Sequence, residues 1–302
     1  MRKSTKVWLT IAIALILTGC ILFGGAMTML NGKFDGLSTV AYQTIETVVE
    51  DEFTDICLNG STADVSILPA QDGKAKVVCH EQVHLAHTVA VKNGVLTIEE
   101  KDTRKWYHHI GISFEKTAVT VYLPRDTYGK LSVKLSTGDI SVGKYFNFTD
   151  VDLSVSTGDV RLQDLTAETV AVGTSTGDVS ADHINIQGEF SVKINTGKTD
   201  VTDTVCGAFS SEGNTGDLDL KNLTVIGKMS IKRTTGDVSF DKCDAAEMLV
   251  TTSTGNVKGS LRSDKVFLAQ SRTGRVDVPH STDGGRCEIT TSTGDIRLTV
   301  ES

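Results

Sequence analysis

The sequence predicts an all-β chain: a β-solenoid of 19–20-residue repeats preceded by one N-terminal transmembrane helix. Three observations predict it. From residue 131 onward a Thr-Gly dipeptide recurs nine times, at Thr137, Thr157, Thr176, Thr196, Thr215, Thr235, Thr254, Thr273 and Thr293, with gaps of 19 or 20 residues throughout. A fixed period of this length marks a stacked-repeat architecture. Apolar residues alternate on both flanks of each Thr-Gly, which is strand periodicity. An uncharged run, residues 7–30, precedes all of this.

Residues 1–6 carry Arg2, Lys3 and Lys6. The run 7–30 would form a helix about 36 Å long, enough to cross a bilayer. The positive-inside rule then places residues 1–6 in the cytoplasm and the chain after the helix outside the cell. This reads as an uncleaved signal anchor. Two processing alternatives stay open. Leu17-Thr18-Gly19-Cys20 has the form of a bacterial lipoprotein box, although residues 21–30 remain apolar after Cys20; cleavage would instead release a secreted chain. Residues 31–38 read as a short linker.

Residues 39–130 read as an irregular N-terminal part, or cap, of the solenoid. Ser61-Thr62-Ala63-Asp64-Val65 is a degenerate corner with Ala where Gly should be. The 75 residues from Thr62 to Thr137 equal nearly four periods and hold further strand-like runs. Asn93-Gly94 between two of them is a hairpin signal. A cap is expected because an open strand edge invites aggregation.

Residues 131–302 read as the regular solenoid. Every position six before the Thr is apolar, from Leu131 and Val151 to Phe267 and Cys287. Inward parity changes across the Thr-Gly, with even offsets before and odd offsets after. A corner at Gly138, Gly158, Gly177, Gly197, Gly216, Gly236, Gly255, Gly274 and Gly294 explains this change. One repeat is then a strand, a Thr-Gly corner, a shorter strand and a looser return loop. Nine coils would make a rod of roughly 43 Å. A topology with two repeats per coil, stacking Thr137 on Thr176, is the competing arrangement. At the far end the chain reaches Ser302 nine residues after Thr293, which leaves either an edge blunted by Arg297 and Glu301 or a surface on which something docks.

The formal charge is −8, and the first six residues contribute +3, so the remainder carries −11. An acidic exterior argues against nucleic acid and anionic polymers as partners. Cys57, Cys79, Cys206, Cys243 and Cys287 follow the helix. Cys287 falls at an inward offset and Cys206 and Cys243 lie about two coils apart, so Cys57 with Cys79 is the only pair positioned to be considered for a bridge.

Asp follows six of the nine corners, and Lys198, Asn256 and Arg275 follow the others. Each Asp is expected to accept hydrogen bonds from its own turn or the nearby Thr hydroxyl. Neither a calcium ladder nor a catalytic carboxylate pair is marked out. Five of the seven histidines fall between 80 and 109. His80, His84 and His87 with Cys79 or Glu81 would suit zinc on a helix, but the segment reads as strand and loop, so these are expected to be solvated loop histidines. Arg104, Lys105, Trp106 and Tyr107 form a basic-aromatic segment able to stack on a sugar or a protein, or to cover the first coil. The expectation is therefore no catalytic residue, no metal and no cofactor.

The chain resembles the bacterial "putative adhesin" β-strand-repeat family of Gram-positive bacteria. The matching pieces are Phe23-Gly24-Gly25-Ala26-Met27, Ser61-Thr62-Ala63-Asp64-Val65, Arg104-Lys105-Trp106, Tyr122-Leu123-Pro124 and the serial Ser-Thr-Gly-Asp corners. The resemblance implies a β-solenoid ectodomain and, for some relatives, a role in sensing or modulating envelope stress. The expected function is a membrane-anchored extracellular scaffold that binds an envelope glycan or a membrane-protein partner. Regulation of an envelope-stress system through a membrane partner and glycan cleavage are the alternatives.

Overall fold

The computed structural model describes residues 3–29, 40–104 and 115–301. The apolar run is a helix, α1 (Lys3–Met29), long and apolar enough to cross a membrane. Among the described residues, all remaining elements are strands. The regular part begins with β8 (Thr127–Thr137), β9 (Ile140–Val142), β10 (Phe146–Thr157), β11 (Val160–Gln163), β12 (Leu165–Thr176), β13 (Val179–Asp182) and β14 (Asn185–Thr196). It continues with β15 (Thr199–Thr202), β16 (Val205–Thr215), β17 (Leu218–Lys221), β18 (Thr224–Thr235), β19 (Val238–Thr254) and β20 (Val257–Leu261). Each long strand pairs in parallel with the long strand one repeat away, and Thr137 sits beside Thr157, which sits beside Thr176. There is thus one repeat per coil.

Two further corners complete each turn. After the short strand the chain reverses through a left-handed residue: Tyr145, Asp164, His183, Asp203, Asn222 and Lys242 all have φ between 47° and 71°. Asn and Asp tolerate this region because their short polar side chains bond locally. The return is therefore a tight corner and not a looser loop. Inside the long strand, inward parity breaks where two consecutive residues face out, as at Glu168 and Thr169. The strand bends there and serves two sides of the coil. This bend also absorbs most of the difference between 19- and 20-residue repeats. Ala167 to Val170 faces Ile186 to Phe190, one residue longer, and Cys206 to Phe209 faces Val225 to Met229 in the same way. Columns of Val, Ile, Leu, Phe and Met from all three sides fill the interior. Burying each such side chain contributes about 1.5–3 kcal/mol.

At the Thr-Gly corner the glycine amide donates to the threonine carbonyl of the adjacent coil, 2.9 Å for Gly158 to Thr176. The corner Asp does the reverse job. Asp139 Oδ1 accepts from the Asp159 amide at 2.9 Å, Asp159 Oδ1 from the Asp178 amide at 2.8 Å, and Asp178 Oδ1 from the Lys198 amide at 2.7 Å. The carboxylate thus caps the next coil and not its own turn. Lys198 brings no acceptor; its ammonium bonds Asp200 at 2.8 Å and Asp219 at 2.6 Å.

The cap departs from a diluted solenoid. Its strands are β1 (Tyr42–Val49), β2 (Asp55–Thr62), β3 (Asp64–Pro69), β4 (Ala75–Gln82), β5 (Leu85–Lys92), β6 (Val95–Asp102) and β7 (Ala118–Leu123). Thr62 pairs directly with Thr137, and Asp64 Oδ1 caps the Asp139 amide at 3.0 Å. The chain between these corners, 75 positions apart, therefore contributes no further coils between them. It leaves the stack as a β4–β5 hairpin, and β6 and β7 return in parallel on the far side of β2 and β3. Asn93 and Gly94 turn β5 into β6 with φ of 53° and 77°. Antiparallel pairing of β1, β4 and β7 covers the other side.

The opposite end also inserts a coil out of order. The last strands are β21 (Lys265–Thr273), β22 (Val276–Asp277), β23 (Gly285–Thr293) and β24 (Ile296–Val300). β23 lies between β19 and β21, and β24 between β20 and β22. Thr293 therefore stacks on Thr254, and Thr273 is outermost. Arg297 and Glu301 consequently do not blunt an edge: Arg297 approaches Asp277 at 4.0 Å and the Glu301 amide bonds the Leu261 carbonyl at 2.8 Å. A buried lysine helps hold the inserted coil. Lys265 Nζ reaches Asp244 Oδ1 at 2.6 Å and Ser263 Oγ at 2.5 Å. Gly285, on the inserted coil, pairs with Lys265 and packs against the Ala246 carbonyl. Lys265→Ala is expected to lower stability by about 2 kcal/mol, less than a fully buried pair because Asp244 is partly exposed. Urea denaturation reads this loss, and an unchanged midpoint would show that the pair is dispensable.

The six thiols are free, including Cys57 and Cys79.

Candidate functional site

The cap and the regular rod meet at a cleft of about 510 Å³. It forms where the coil of β6 and β7 is interrupted. Register places β6 beside β2 and Ala118 beside Asp64, so Asp102 and Ala118 flank the corner column. In the other coils a few residues separate the two strands at this corner; in the sequence fifteen separate β6 from β7. The cleft is lined by Tyr42, Gln82 and Leu85 from the cap, by Arg104, Glu115, Lys116 and Thr117 flanking the inserted corner, and by the corners at Thr62, Gly138 and Gly158.

Hydrogen bonds fix the cap wall. Tyr42 stacks on His80 with ring centroids 5.3 Å apart. The Tyr42 hydroxyl donates to the Glu115 carbonyl at 3.0 Å and accepts from Gln82 Nε2 at 3.1 Å. His80 lies 3.0 Å from Thr44 Oγ1 and 3.1 Å from Glu115 Oε2. Arg104 is clamped on Asp102, Nε to Oδ1 at 3.0 Å and Nη2 to Oδ2 at 2.8 Å. That hydrogen bond holds the guanidinium pKa above its ordinary value. Two-point pairing of this kind fixes the plane of the guanidinium.

Of the predicted basic-aromatic segment, Arg104 lines this cleft; Lys105, Trp106 and Tyr107 lie outside the described residues. His80, His84 and His87 do not converge. His80 points out of β4. His87, on β5, is a buried side chain bonded to buried Glu81 at 2.8 Å, so the solvated-loop assignment is corrected for this residue. The nine corner glycines all have φ between 126° and 154°. Their column, with the Asp caps, is occupied by intercoil hydrogen bonds, which assigns it to stacking.

One acidic group lies on the second corner. His183 Nδ1 is 2.9 Å from Asp182 Oδ1, and its Nε2 is 3.5 Å from Asp203 Oδ2. The hydrogen bond to Asp182 raises its pKa above the ordinary 6.5. A raised folded pKa stabilises the fold below the unfolded pKa, and this contribution is lost as pH climbs through the folded value. NMR titration of His183 is expected to show a midpoint above 6.5 that drops in Asp182→Asn. Equal midpoints in both would contradict the pairing.

Fold and corner chemistry together define a parallel β-solenoid protein that carries an apolar N-terminal helix. The chain belongs to the Toastrack DUF4097 family, whose model matches residues 53–299. It is similar in fold to a protein described as a putative lipid binding protein from Parabacteroides distasonis, at 11% identity and a TM-score of 0.55, over 87% of this chain and 98% of that one. It also matches a protein described as a putative adhesin from Bacteroides fragilis, at 18% identity and a TM-score of 0.48, over 86% and 97% of the two chains. A second such adhesin, from Parabacteroides distasonis, matches at 13% identity and a TM-score of 0.46, over 86% and 98%. No curated protein matches the chain.

Proposed function

We propose that this protein is a membrane-anchored, non-enzymatic binding scaffold that displays the inserted corner at Arg104 on the outside of the cell. The carrying observation is that corner. The Thr-Gly corners of the rod use their residues for stacking hydrogen bonds, whereas fifteen residues separate β6 from β7, and Arg104, Glu115, Lys116 and Thr117 from the two ends of that segment line a cleft. Chain length that stacking does not need is available for recognition. A Trp-Tyr pair at Trp106 and Tyr107, next to a clamped arginine, suits the apolar face of a sugar ring or an aromatic anchor of a protein surface. Arg2, Lys3 and Lys6, followed by an uncharged run, support an anchored N-terminus with the solenoid outside.

Protease shaving of intact cells should degrade the solenoid and spare α1. Binding of purified envelope glycan to the full chain in detergent should be lost when residues 105–114 are replaced by Gly-Ser linker of equal length. Protection of the solenoid in intact cells would refute the orientation. Unchanged glycan binding, or protein crosslinking that survives the replacement, would refute the corner as the binding element.

A further inference from the structure

The β4–β5 hairpin splits as it leaves its turn. Gln82 pairs with Leu85, after which β4 joins β7 on one side of the cap and β5 joins β6 on the other. Inward alternation along β4 buries Ala75, Val77, Cys79 and Glu81 in turn. His87 enters the same interior from β5. One ligand-type atom from each of Cys79, Glu81 and His87 lies within 4.8 Å of the other two.

Two atoms in this group are buried and have no hydrogen-bond partner: Glu81 Oε1 and His87 Nε2. Both side chains are fully buried, and Glu81 Oε2 accepts from the His87 amide at 2.6 Å and lies 2.8 Å from His87 Nδ1. A buried carboxylate oxygen without a donor costs about 1–3 kcal/mol or more. Gly60 lies near the ring: a Cβ there would sit 3.8 Å from His87 Nε2. The cap thus concentrates a sulfur, an imidazole nitrogen and a carboxylate oxygen around unmet polar capacity.

We propose that Cys79, Glu81 and His87 bind one zinc ion. Sulfur, imidazole and carboxylate together are the donor set of zinc, and not of magnesium or calcium. Tetrahedral zinc sets its donor atoms roughly 3.3–3.6 Å apart. The Glu81–His87 gap opens by about half an ångström and the Cys79 sulfur moves inward. Binding releases the thiol proton to solvent, and the two negative ligands neutralise the dication. Without a cation, burial and then the Glu81 charge push the Cys79 thiol up to about 12. Glu81 Oε1 supplies a second oxygen on the same carboxylate. Because Gln82 and Leu85 line the cleft, zinc would stiffen the wall that faces the inserted corner.

The full chain in detergent, stripped with chelator and then loaded with zinc or cobalt, tests this. One zinc per chain is expected after gel filtration, with a higher melting temperature than the stripped protein. Cobalt should give a thiolate-to-metal absorption band that disappears in Cys79→Ser and His87→Ala and persists in Cys57→Ser. The wild-type comparison needs no variant to fold. Zinc well below one per chain with no cobalt band would show a buried Glu–His pair only and overturn the proposal. A band lost in Cys57→Ser and kept in Cys79→Ser would overturn it as well.

Discussion

Gly177→Ala is expected to lower the stability of the rod by more than about 4 kcal/mol, whereas Gly173→Ala, in the same coil, should raise it by up to about 1 kcal/mol. The contrast follows from what each new methyl would meet. At Gly177 φ is +139°, a region closed to residues with a Cβ, and the methyl carbon would lie 2.5 Å from the Gly158 carbonyl carbon and closer still to its oxygen. That carbonyl belongs to the backbone of the neighbouring coil, so relief requires the two coils to separate. At Gly173 the nearest atom to an added Cβ is Ser154 Oγ at 3.9 Å, and φ is ordinary. There Ala acts mainly by reducing the entropy of the unfolded chain. Stability in a solenoid is a sum over neighbouring coils, so the loss should be local. Hydrogen exchange should show lost protection in the coils of Thr157, Thr176 and Thr196 first. A Gly177→Ala chain with the urea midpoint of the wild type would refute the stacking account.

The same geometry explains how much could be read in advance. The glycine column and the alternating flanks are dictated by backbone sterics repeated in every coil, so they are written nine times in the sequence. The Asp caps were visible as residues but not as a mechanism, because which amide they serve depends on coil-to-coil contact. Once that contact is known, the exceptions make sense. Asn256 still offers Oδ1, to the Asp295 amide at 2.9 Å, and Arg275 sits on the outermost coil, where its amide is capped by Asp295 at 2.8 Å. No further coil stacks beyond Thr273 to need a cap from Arg275, whereas Lys198 shows that a missing acceptor is also tolerated inside the stack. Equivalent corners stack equally well on each other, which hides the order of Thr254, Thr293 and Thr273. The left-handed corner is marked by Asp164, Asp203 and Asn222 at multiples of the period, but Tyr145, His183 and Lys242 blur it. At the cleft, scarcity of Trp pointed to the Arg104 segment. The Glu81–His87 pair was hidden because the hairpin divides between two sides of the cap.

Gly213→Val is expected to cost about 4 kcal/mol alone and less than about 1 kcal/mol when Arg233→Val is added. Both residues occupy the inward position two before the corner Thr, in adjacent coils. Val155 and Ile194 fill this position elsewhere, so the column accepts β-branched side chains. Arg233 is only 2% exposed, and its guanidinium lies over Gly213: a Cβ there would be 2.7 Å from Arg233 Cζ and closer still to Nη1. Nη2 donates to Ser211 Oγ at 2.9 Å and Thr199 Oγ1 at 3.2 Å, while Nε and Nη1 are buried without partners. Burial lowers the Arg233 pKa to about 10. A base with a lowered folded pKa holds its proton less well when folded, so the penalty is fully present at neutral pH and fades only above about pH 10. Valine in place of Arg233 removes that penalty and supplies apolar volume against which a valine in place of Gly213 can pack; it also strips Ser211 and Thr199 of a donor. These opposing changes leave Arg233→Val alone within about 2 kcal/mol of the wild type. The double-mutant cycle should therefore show coupling of at least about 1 kcal/mol in favour of the pair. Additive losses would mean that the guanidinium swings clear of the side chain introduced by Gly213→Val, and that Gly213 is not what admits an arginine to the interior.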